Sequence, residues 1–119
     1  MTSELTMPLS LDDIVKEVET AVAHGRLEPN RAADLLVFLA VKYSRAVDNY
    51  MVKKAEYAKA FTEERENHKS DTACERFLDH TETGLEVSHW KYQTRKCEML
   101  TNVLKTFIYQ KGNEARNVQ

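Results

Sequence analysis

The stretch PNRAADLLVFLAVKYSRAVDNYMVKKAEYAKAFTEERENH, residues 29–68, holds no glycine and no proline after its first residue. Pro29 suits the first position of a helix, where its missing N–H costs nothing and its φ is already helical. Beyond it, Ala, Lys and Glu abound, all good helix formers. The stretch predicts one helix of about 40 residues, roughly 60 Å at 1.5 Å per residue. Leu36, Tyr43, Tyr50 and Tyr57 recur at a seven-residue step, with Ala40, Val47, Lys54 and Phe61 four residues behind. Two apolar positions per heptad predict a seam along the helix. Leu35 to Val41 is apolar all round and should be buried on several sides.

Working outward, Ser10 precedes Asp12 and Asp13, and Leu11, Ile14, Val15, Val18 and Val22 follow at three- and four-residue steps. This predicts a first helix over 10–25, capped by Ser10 and stopped by Gly25. After the long helix, Ser70 or Asp71 can start the next one, predicted over 71–112. Leu78, Leu85, Tyr92 and Met99 keep a seven-residue step, Thr81, Gly84 and Ser88 weaken the middle, and Gly112 offers a stop. Residues 113–119 read as a frayed tail. A short connection makes two long helices antiparallel neighbours. The expected architecture is all-α, a single domain over 1–119: a short N-terminal helix and a long antiparallel helical hairpin. Folding about Lys69 brings Leu35–Val41 opposite Leu100–Ile108. That apolar surface looks larger than one short helix covers, so self-association is expected through Leu35, Leu36, Phe38, Leu39, Leu100, Leu104, Phe107 and Ile108.

The 119 residues amount to one domain's worth of chain. Three glycines and two prolines are too few for the tight turns of sandwiches, small barrels or βαβ folds. The first ten residues have neither a basic nor an apolar signal region, and a seven-residue apolar run cannot span a bilayer, which needs ~20. Cys74 and Cys97 make no disulfide framework. A cytoplasmic location with reduced thiols is expected, and no membrane partner.

The net charge of −2 conceals four blocks. Residues 1–28 carry two basic and six acidic groups, 29–62 six and three, 63–86 three and eight, and 87–119 six and two. The hairpin sets the two basic blocks side by side. Cations interleaved with aromatics are what single-stranded nucleic acid requires, for phosphates and for bases. The candidate contacts are Lys42, Arg45, Lys53, Lys54, Lys59, Lys91, Arg95 and Lys96, with Tyr43, Tyr50, Tyr57, Trp90 and Tyr92 as stacking candidates. The blander reading stays open. Tyrosines at a heptad step can be seam residues, and helix lysines are commonly a solvated face. The doublet Lys53–Lys54 interrupts the seam, so either its stems snorkel, or this position faces a partner, or it only sets register.

No catalytic or metal constellation is apparent. His24, His68, His80 and His89 lack metal-ligand spacing, there is no CxxC or HExxH, and no glycine-rich phosphate loop occurs. No metal, no cofactor and no enzymatic activity are expected.

The lysine-rich segment AVDNYMVKKAEYAKAF (46–61), an acidic turn, and the helix LEVSHWKYQTRKCEMLTNVLKTFIYQKGNEARN (85–117) together resemble the UvsY-type recombination mediators of T-even-type phages. The resemblance covers residues 35–115 and lies in helix layout and basic positions. It implies an all-helical, oligomeric, non-enzymatic protein that binds single-stranded DNA and helps load a recombinase onto DNA coated by a single-strand-binding protein. It would place DNA contacts at Lys53, Lys54 and Lys59 and assembly at Leu100–Ile108, in the cytoplasm of an infected cell. The acidic run at 63–86 and the acidic first helix depart from that pattern. They suggest an alternative: a protein–protein module, such as a phage-type inhibitor or adaptor, acting through an acidic tip.

Overall fold

Ser10 starts the first helix through its side chain, whose oxygen accepts the backbone N–H of Asp13 at 3.2 Å. The computed structural model describes residues 10–117. The part of the frayed-tail expectation that falls on 118–119 lies outside the described residues. Four helices follow in order: α1 (Leu11–Ala23), α2 (Pro29–Glu64), α3 (Asp71–Asp79) and α4 (Glu82–Asn117), with a 3₁₀ turn (Arg65–Asn67) after α2. Among the described residues there is no strand, and the fold is all-α, with α2 packed against α4. The chain divides into two compact units. Among the described residues, the first joins residues 10–43 with residues 96–117, and the second is Ser44–Arg95.

In the first unit, α1 ends where Gly25 turns left-handed at φ +62°. The Gly25 N–H donates to Val22 O at 3.1 Å and the Arg26 N–H to Ala21 O at 2.7 Å, satisfying carbonyls the helix end would leave unpaired. Leu11, Ile14 and Val18 of α1 pack with Ala32, Leu35, Phe38 and Leu39 of α2 and with Cys97, Leu100 and Leu104 of α4. Arg31 grips Glu17 with two parallel bonds, Nε to Oε2 at 2.5 Å and NH2 to Oε1 at 2.6 Å, tying α1 to the start of α2. Such a forked pair fixes geometry more than it adds energy at a half-exposed position.

This core corrects the expected self-association surface. Leu35, Phe38, Leu39, Leu100 and Leu104 are buried inside the chain itself, and Leu36, Phe107 and Ile108 pack partly buried against them. α1 lays three buried residues across that end, while Val37, Val41 and Val103 within it stay exposed, so Leu35–Val41 is not buried all round.

The expected 71–112 helix is two helices, and the break between them lies in the second unit. Thr81 is the reason. Its Oγ1 donates to Leu78 O at 2.5 Å and receives the Gly84 N–H at 3.4 Å, closing α3 and capping α4 with one side chain. Gly84 permits the close approach. A Cβ there would fall on Leu78 O and come within 2.7 Å of Asp79 Cα. Ser70 caps α3 through the Ala73 N–H at 3.1 Å. The long helix ends at Glu64 rather than His68, where Arg65 turns to hold Asp71 at 2.5 Å and His68 O at 2.9 Å. Gly112 does not stop α4, which runs to Asn117. A helical glycine costs only ~1 kcal/mol, and the Lys111–Glu114 pair at 3.4 Å spans it.

The break also shifts the seam. Leu78 is buried, but Leu85, Tyr92 and Met99 are exposed; α4 buries Cys97, Leu100 and Leu104 instead. A heptad counted through two non-helical residues loses its phase. On α2 the buried line passes through Leu35, Leu39 and Ala46, with Lys53 and Tyr57 half-buried, so the seam lysine is Lys53, not Lys54.

Tyr57 donates to Asp79 Oδ1 at 2.9 Å. Burial, then that neighbouring carboxylate, push its phenol up to about 12. An unfolded tyrosine ionises near 10. The folded state thus favours the neutral phenol, giving stability that is complete below pH ~10 and lost as pH rises through about 12. In an absorbance titration of tyrosinate, Tyr57→Phe should remove the last component to ionise. A variant whose titration curve keeps that late component would show that Tyr57 is not the perturbed group.

Candidate nucleic-acid interface

The sequence-derived cations divide between the two units. In the first, Lys42 and Lys96 are half-buried. Lys42 lies close enough to Cys97 to draw its thiol pKa down, against the larger upward push of burial. Lys96 lines an open groove of about 410 Å³ between α1 and α4, with Val15, Val18, Val22, Met99 and Val103.

In the second unit, Lys53 is already occupied. Its Nζ lies 2.9 Å from Glu86 Oε2 across the helix pair and 3.2 Å from Glu56 Oε2 on its own helix. Hydrogen bonds to Glu86 and then Glu56 hold its ammonium above the usual lysine range. It serves register and offers little to a phosphate. Arg45, Lys54, Lys59, Lys91 and Arg95 differ. All five are exposed, and among the described residues none has a carboxylate within 4.0 Å. Lys54 Nζ sits 5.2 Å from the centre of the Tyr50 ring, a cation–π contact that leaves its charge in solvent.

The Lys53–Glu86 contact sets the register. Eight residues back along α2 and eight forward along α4, Arg45 comes level with Thr94, beside Arg95. The cations do not share one stripe. At about 100° per residue, Arg45 and Lys54 lie on opposite sides of α2, and Lys59 lies near the Arg45 side. Lys91 and Arg95, one turn apart, share a face of α4, with exposed Tyr92 adjoining. The single basic flank expected from the sequence is replaced by cations spread around this part of the helix pair.

The turn end of the same unit is acidic. Arg65 neutralises Asp71, and His68 Nε2 lies 3.3 Å from Glu64 Oε1. Glu63, Glu66, Glu75 and Glu82 are exposed with no cation within 4.0 Å among the described residues. Two further histidines make local contacts: His80 Nδ1 lies 2.7 Å from Arg76 O, and His89 meets the Trp90 ring edge-on. No cluster of three or more metal-ligating side chains occurs among the described residues. Cys74 and Cys97 are free and buried, and burial pushes both thiols up, away from reactivity. No helix among the described residues is long and apolar enough to cross a membrane.

Sequence periodicity put Lys54 at the seam; the two lysines point about 100° apart on the helix, and it is Lys53 that is turned toward Glu86. The Thr81-x-x-Gly84 pattern was the available signal for the helix break that rotates α4. Comparison with models of known protein families, with curated proteins and with solved structures finds no match to this chain.

Proposed function

We propose that this chain is a non-catalytic nucleic-acid accessory protein of recombination-mediator type, which binds single-stranded DNA and helps a recombinase load on DNA held by a single-strand-binding protein. The observation that carries the reading is the set of five exposed cations without carboxylate partners, Arg45, Lys54, Lys59, Lys91 and Arg95, with Tyr50 and Tyr92 beside them. Unpartnered cations exchange condensed counterions for phosphates without first breaking an internal pair. Exposed or half-exposed aromatic rings give bases a flat surface. The sequence resemblance to UvsY-type mediators supplies the more specific role, including the cytoplasm of an infected cell as its setting and assembly into an oligomer. For such assembly the first unit offers Val22, Met99 and Val103, which remain exposed.

Exchanging Lys91 and Arg95 for Ala together should weaken binding of a labelled thymidine oligonucleotide and lower its log–log salt slope by about 1.4, two contacts at ~0.7 each. Lys53→Ala should leave the slope unchanged. Equal slopes for the double variant and the unaltered chain would remove α4 from the interface.

A second reading is favoured by the four exposed, unpaired glutamates at the turn end: an adaptor that docks there on a basic protein. Glu63→Gln with Glu66→Gln would then abolish a nuclease-resistant complex while leaving oligonucleotide binding intact.

A further inference from the structure

The side of α2 turned away from its own core carries a second seven-residue pattern. Ser44, Asp48, Met51, Ala55, Ala58 and Thr62 follow one another at alternating four- and three-residue steps, and every one is exposed. Val37 and Val41, earlier on the same helix, keep the step and are also exposed. This is the spacing at which one helix meets another, and Met51 and the adjoining Val52 are 60% and 55% exposed. Small residues at Ser44, Ala55 and Ala58 would let a second helix axis approach closely.

The flanks decide the occupant. The positions bordering this seam are Arg45, Val52 and Lys59 on one side and Val47, Lys54 and Phe61 on the other. Three are basic and none is acidic. A second copy using the same seam would set Lys54 against Lys59 if parallel, or Arg45 against Lys59 and Lys54 against Lys54 if antiparallel. Either arrangement opposes like charges. We propose that the outward face of α2 from Ser44 to Thr62 is a docking seam for an amphipathic helix of another protein whose flanking positions are acidic. Asp48 sits in the seam itself, so the partner helix carries a basic residue opposite it, which fixes register. The seam shares Arg45, Lys54 and Lys59 with the nucleic-acid reading and differs from it in its apolar contacts, Met51 and Val52.

The test uses the full chain and two designed peptides of about three heptads, both with leucine at the seam positions. One carries glutamate at the flanks, the other lysine. Fluorescence anisotropy should show the glutamate peptide binding at least about tenfold tighter. Met51→Gln with Val52→Gln, exposed changes that keep the charge and suit a helix, should weaken that binding at least about tenfold. Arg45→Glu with Lys59→Glu should reverse the preference toward the lysine peptide. Equal binding of both peptides, binding of neither, or indifference to the Gln variant would overturn the proposal. So would a dimer in sedimentation that the Gln variant dissolves, which would assign the seam to a second copy. Loss of oligonucleotide binding in the Gln variant would assign the face to nucleic acid and likewise overturn it.

Discussion

Replacing Leu39 by Ala is expected to cost about 3 kcal/mol of unfolding free energy, within the ~2–5 kcal/mol range for buried leucines. Leu39 is fully buried among side chains of the first unit's core, which draws on α1, α2 and α4. Truncation forfeits its transfer energy and leaves a cavity that three helices can only partly close. Val37, two residues away and 59% exposed, provides the contrast. Val37→Ala should stay within about 0.5 kcal/mol of the unaltered chain, as surface changes do. Urea unfolding followed by circular dichroism measures both. A loss below ~1 kcal/mol at Leu39 would mean that the core does not close around it.

Gly84→Ala has the second largest expected effect, and its sign opposes helix propensity. In an open helical site, Gly→Ala gains up to ~1 kcal/mol. At Gly84 the added carbon meets backbone only: Leu78 O, Asp79 Cα at 2.7 Å and the Leu78 carbonyl carbon at 2.9 Å. Backbone cannot swing aside as a flexible side chain can. α4 would have to lift from the end of α3, loosening the Thr81 cap that serves both. A net loss of about 2 kcal/mol is expected, as for other overpacked sites. Gly112→Ala, with nothing within 4 Å of the added carbon, should instead stabilise by up to ~1 kcal/mol. Thermal melts of the two variants should move in opposite directions. A Gly84→Ala protein as stable as the parent would refute the close approach of α4 to α3.

Helix identity was legible because its causes are local. Absence of glycine and proline across residues 30–64 leaves nothing to interrupt α2, and Ser10, Gly25 and Ser70 act through bonds to neighbours only a few residues away. The face each long helix buries was less legible. Tyr43, Tyr50 and Tyr57 share a heptad position, yet Tyr43 is exposed while Leu39 and Ala46 are buried; packing against α4 chose one face over its neighbour. On α4 the phase was lost at Thr81, where one hydroxyl ends one helix and begins the next. The candidate site shifted for the same reason. Lys53 and Lys54 are indistinguishable by type, and only the position of Glu86 across the pair removes one of them from service.

Single-stranded DNA binding is tested by titrating a fluorescein-labelled thymidine oligonucleotide with the full chain at ~50 mM and ~200 mM salt. Three to five unpartnered cations contacting phosphates predict a log–log slope of about −2 to −3.5, with measurable binding at the lower salt. Absence of binding at ~50 mM salt, or binding that does not change with salt, would contradict the account.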